Sequence, residues 1–197
     1  MSPAQRTPDR GPACWVNPGW RHGLAVDGHP DWPDGSWTPL QEGDSGVAVV
    51  FVAARGRGDR LSVCVFLIDT WCLGVKNAAG PRSMIWHDFE TLRRRAYSPW
   101  DCDGILVSLE LAQHLVLGAV HYARGLGFEP HRDFWQARRA LGSWRGPSAV
   151  RFGRHGRPHY VNGPYENPQQ VLASLQRAVG RAGFDHTLSL DELDRVA

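Results

Sequence analysis

The sequence predicts an α+β fold: a mixed or antiparallel sheet built from two hairpins, covered by about four helices, with an irregular Trp-rich N-terminal arm. Three observations carry this. The apolar runs GVAVVFVA and RLSVCVFLID are joined by the turn-like RGRGD. From Ser83 the hydrophobic period lengthens to helical spacing. The short stretches SAVRFG and PHYVNG flank Arg154, His155, Gly156 and Arg157, which reads as a second hairpin.

Residues 1–45 are rich in proline and glycine, carry Trp15, Trp20, Trp32 and Trp37, and hold neither period for long. They read as an irregular arm packed on the core, because unfolded segments are poor in aromatic residues. A single α+β domain is expected over residues 46–197. In its second strand Leu61, Val63, Val65 and Leu67 face one way and Cys64, Phe66 and Ile68 the other, so both faces are apolar and the strand is central. WCLGV extends that strand or starts a third after a bend.

Ile85, Phe89, Leu92 and Ala96 mark a first helix, with Arg93, Arg94 and Arg95 in its last turn, where cations suit the dipole. A longer helix follows Ser108, its N-cap, and stops at Gly127. Asp133 caps a short third helix that ends near Gly142. Asn167 and Pro168 open a fourth that runs to about Val179. Ser189 and Glu192 have capping-box spacing for a final turn.

The chain has 197 residues, 42% of them hydrophobic, enough for one core. Its 22 basic and 20 acidic residues leave a formal charge of +2, so any nucleic-acid or membrane partner must be met by a local patch. The longest apolar run is far below the ~20 residues of a membrane-spanning helix, and no hydrophobic leader stands at the N-terminus, so a cytoplasmic location without membrane contact is expected. Cys14, Cys64, Cys72 and Cys102 are widely spaced without a C-x-x-C pair, which disfavours disulfides and structural zinc.

The densest group of unusual residues runs from Asp69 to Asn77, at the exit of the central strand, and contains Lys76, the chain's one lysine. An ammonium is a compact charge unlike the guanidinium that dominates here. On a catalytic reading Cys72 is the nucleophile of a small hydrolase or transferase, His131 its base, Lys76 an anion clamp, and Asp69 completes the site. On a structural reading Trp71 and Cys72 pack, Gly74 forms a bulge and Asp69 accepts bonds in a turn. His131, in the loop between two helices, either acts as base or anion donor or simply fills that loop. Glu110, His114 and His121 share one helix face, but lack H-E-x-x-H spacing and a fourth ligand, so no metal is expected. Nucleotide-loop and serine-elbow motifs are absent, and no cofactor is expected.

Arg55, Arg57 and Arg60 surround the first turn, Arg93, Arg94 and Arg95 end a helix, and Arg151, Arg154 and Arg157 line the second turn. If these lie on one side they form a phosphate-binding patch. The leading expectation is therefore a noncatalytic binding or regulatory protein that contacts RNA, more than DNA, or a protein through its arginine-bearing turns. Besides the Cys/His enzyme, a further alternative is an interaction module that binds protein through Trp15, Trp20, Trp32 and Trp37.

The segments LIDTWCLGVKNA, GAVHYARGLGFEPHRDF and FGRHGRPHYVNGPYENP together resemble an uncharacterised family of bacterial proteins of about 200 residues with no established activity, over roughly residues 46–185. That resemblance implies no catalytic residues. In the family a lysine often stands near position 157 and an aspartate near 155, where this chain has Arg157 and His155. These departures imply that the turn is not essential.

Overall fold

The computed structural model describes residues 11–34 and 46–188. In chain order the elements are β1 (Ala13–Val16), β2 (Ala25–Val26), β3 (Val47–Arg55), β4 (Arg60–Asp69), β5 (Gly74–Ile85), α1 (Trp86–Tyr97), β6 (Ile105–Val107) and α2 (Leu109–Gly125). They continue with α3 (Phe134–Ala137), β7 (Val150–Arg151), β8 (His159–Val161), α4 (Pro168–Val179) and β9 (Asp185–Thr187). This is an α+β fold centred on a five-stranded antiparallel sheet of order β5-β4-β3-β1-β6.

The first hairpin forms as its pattern predicts, with β3 and β4 in unbroken register from Val47 opposite Asp69 to Arg55 opposite Leu61. Strand β4 has a partner on each edge, and its two apolar faces enter different cores. Cys64, Phe66 and Ile68 meet Leu111, Leu115 and Val116 of α2 and Phe134 of α3. Leu61 and Val63 join Phe51, Phe89 and Tyr97 beneath α1. Each fully buried side chain of this size contributes roughly 1.5–3 kcal/mol, so helical cover on both sides is what a doubly apolar strand requires. Residues 70–73 then turn the chain into β5.

Two predicted features take a different form. Within the arm, the described residues 11–34 are not irregular throughout: the segment ACWV enters the sheet as β1, between β3 and β6. The stretches around Arg154–Arg157 do turn back, yet they meet only in an isolated bridge between Arg154 and Arg157. Strand β7 pairs instead with β2, and β8 runs parallel to β9. Local pattern specified a turn, while the strands' partners lie elsewhere in the chain.

The helix signals hold in position. Ser108 Oγ accepts from Leu111 N at 3.1 Å, and Asn167 Oδ1 accepts from Gln170 N at 3.2 Å. Asp133 makes no side-chain cap; its backbone N–H donates to His131 Nδ1 at 3.3 Å. The Ser189 and Glu192 spacing lies outside the described residues. Among those described, no helix is long and apolar enough to cross a membrane.

Candidate functional site

The turn from Asp69 to Leu73 is a structural hub. Asp69 Oδ1 accepts from Trp71 N and Cys72 N, both at 2.9 Å. Thr70 donates through its N–H and its hydroxyl to Gly46 O, and its own carbonyl accepts from Gly153 N at 3.0 Å. The Trp71 indole donates to His22 O at 2.9 Å, while its carbonyl accepts from Tyr122 Oη and His159 N. Five separate points of the chain thus meet at two residues, Thr70 and Trp71. Trp71, Thr70 and Cys72 are fully buried, and Asp69 nearly so.

Cys72, the nucleophile of the catalytic reading, is buried in this hub. The side chain is sealed among Leu126, Tyr160, Val171 and Leu175. Burial, reinforced by the nearby Asp69 carboxylate, pushes its thiol far up, away from the reactive thiolate. Asp69 is likewise structural: desolvation raises its carboxyl to about 6, against the lowering pull of backbone N–H groups and Lys76.

Just outside the hub, Lys76 and His131 do come together, in a cleft of about 560 Å³. Strand β5 supplies Val75, Lys76 and Asn77, the loop after α2 supplies Phe128, Glu129 and His131, and the loop before α4 supplies Tyr165 and Glu166. The β5 wall is placed by Gly74, whose φ is +68°. A Cβ there would lie 2.8 Å from Ala119 O and 2.6 Å from Ala123 Cβ, so glycine lets the strand start hard against α2. His131 N donates to Val75 O at 3.0 Å and ties the loop to the strand.

Lys76 Nζ stands 2.5 Å from Glu166 Oε1, with its side chain 24% exposed. Glu166 Oε2 accepts from Gly163 N, which fixes the carboxylate that orients the lysine. His131 Nδ1 accepts from Asp133 N, so a neutral imidazole carries its proton on Nε2. Glu129 is occupied by Arg124, which reaches Oε2 through Nε and Nη2 at 3.1 and 2.8 Å. Lys76, His131 and Asn77 therefore line one cleft whose remaining lining includes Leu67, Leu73, Val75, Phe128 and Val171. Glu166 was not singled out by sequence; the available signal was the lone lysine, which called for a carboxylate partner.

The arginines named from sequence do not form one patch. Arg93 is 3% exposed, with its guanidinium over the rings of Trp15 and Phe89 at 5.1 and 5.7 Å, and is withdrawn as a phosphate contact. Arg151 pairs with Asp27 at 2.7 Å, Arg157 with Asp185 at 3.0 Å, and Arg154 lies 4.9 Å from the Trp71 ring. Arg55, Arg57 and Arg60 flank the turn at the opposite end of β4, about 30 Å away for a ten-residue strand. Arg60 there bonds Ser83, and Arg94 and Arg95 are exposed near the end of α1.

Among the described residues the arm's tryptophans make no exposed patch either. Trp15, Trp20 and Trp32 are buried, Trp20 donating to Pro33 O at 2.8 Å and Trp32 stacked on His29. Trp37 lies outside the described residues. His114 accepts from Ala149 N at 2.8 Å, and desolvation lowers its pKa. Among the described residues no three His, Cys, Asp or Glu side chains are grouped to hold a metal. Comparison with family models, curated proteins and solved structures finds no match for the chain.

Proposed function

We propose that this is a binding protein whose cleft takes a small amphipathic carboxylate. The observation that supports this reading is the set of donors around Lys76. A lysine has three N–H donors in rotatable geometry, and Glu166 occupies one side of the ammonium. The His131 Nε2–H and the Asn77 amide add donors at the same cleft, while Leu67, Leu73, Phe128 and Val171 offer an apolar bed. Pockets of this kind draw affinity from apolar burial and orientation from a few polar groups. A carboxylate's oxygens accept from the donors, and its aliphatic or aromatic body covers the bed.

Calorimetric titration with hexanoate, phenylacetate and hexylamine tests the reading. The two acids are expected to bind and the amine not to. Lys76→Ala is expected to weaken the acids about tenfold or more, as for loss of a charge-assisted bond. Equal binding of acid and amine, or acid binding indifferent to Lys76→Ala, overturns it.

A further inference from the structure

On the other side of the loop that carries Glu129 lies a surface of different chemistry. Trp135, in α3, is 46% exposed, whereas its neighbour Phe134 is buried. Beside it is a hollow of about 190 Å³ lined by Leu117, Val120, His121, Arg124, Arg138 and Trp144 together with the two aromatic residues of α3. Arg124 and Arg138 place their guanidinium carbons 5.1 and 5.9 Å from the Trp135 ring centre. Arg124 is neutralised by Glu129 at 2.8 Å. Among the described residues no ion pair engages Arg138, Arg139 or Arg145.

The charge is concentrated here. Residues 132–145 hold Arg132, Arg138, Arg139 and Arg145 against Asp133 alone, a net +3 in a chain whose whole formal charge is +2. An exposed indole with guanidinium groups over its ring, next to a small hollow, makes a cationic stacking platform that suits a base ring flanked by phosphates. A duplex keeps its bases stacked inside and does not present a ring to such a platform. We infer that the face formed by Trp135, Arg138 and the adjoining hollow binds single-stranded nucleic acid, with one base on the indole and the neighbouring phosphates on Arg138, Arg139 and Arg145. The site is separate from the carboxylate cleft and does not depend on it.

Fluorescence anisotropy of the full chain with a labelled oligouridylate of about twelve nucleotides, its abasic counterpart and a duplex tests the inference. Affinity is expected to fall steeply between about 50 and about 200 mM salt. The abasic strand and the duplex are expected to bind about tenfold more weakly than the single strand, and Trp135→Ala to remove that difference. Arg138→Gln is expected to weaken all three and to lower the salt slope by about one. Absence of binding at the lower salt overturns the inference. So does equal affinity for the base-bearing and abasic strands, which makes the face a polyanion site only, or a preference for duplex.

Discussion

The cleft around Lys76, lined in part by the loop after α2, and the face around Trp135, lined by α2, α3 and Trp144, are built on opposite plans. In the cleft the polar groups are fixed from behind: Glu166 by Gly163 N, His131 by Val75 O and Asp133 N, and the β5 wall by a turn locked to five points of the chain. On the face, the guanidinium groups lie on exposed side chains beside a half-exposed ring. Preorganised donors suit one small ligand held in one pose, whereas long mobile arginines suit a polymer read by charge and stacking.

The sharpest break of this contrast is Trp71→Ala. It removes the indole that packs against Gly46 and bonds His22 O, at an expected cost of about 3–5 kcal/mol in urea unfolding. A loss under about 1 kcal/mol would mean that the hub does not brace the cleft. Asp69→Asn comes next and acts through pH. Desolvation holds the folded carboxyl near 6 against 3.8 when free, so the folded state binds its proton more tightly. Its stabilising contribution is complete below 3.8 and is lost as pH rises through about 6. The asparagine variant should therefore gain up to about 3 kcal/mol on wild type between about pH 4 and about pH 7. Urea midpoints at the two pH values measure the gap, and a constant gap contradicts a buried titrating Asp69.

A reciprocal pair of variants then sharpens the comparison. Lys76→Ala should lower carboxylate affinity about tenfold and leave oligouridylate binding unchanged. Arg138→Gln should do the reverse with a severalfold effect, while unfolding free energy moves by less than about 0.5 kcal/mol. Cross-effects in both assays would merge the two sites into one. Finally, thiol labelling of the native protein should modify the partly exposed Cys102 and spare Cys72 until the protein unfolds. Native labelling of Cys72 would restore it as a candidate nucleophile.

What could be read beforehand follows from the range of the forces involved. The alternation in β4 and the caps at Ser108 and Asn167 are local, and both appear where the pattern puts them. Strand β1 was invisible because four residues in a proline- and glycine-rich context carry no period; its identity comes from Phe51 and Leu106, both opposite Trp15. The second hairpin failed for the same reason, with Ala25 opposite Arg151 and His159 opposite Asp185. Lys76 and His131 stood out by composition and position, but which side of the surface they shared depended on the loop after α2. Arg93 was legible and passed over: four residues after Phe89, it falls on the apolar stripe of α1.

The placement of β1 between β3 and β6 also matters for how the protein is made. Cys14 meets Val52 on one edge, but Val107 on the other, about ninety residues downstream. At roughly 5–20 residues per second of synthesis, that second edge waits several seconds for its partner. During this interval the nascent chain offers an open, apolar strand to any neighbour emerging from an adjacent ribosome. Until β6 is made, pairing of that open edge with another chain is therefore a route to mispairing.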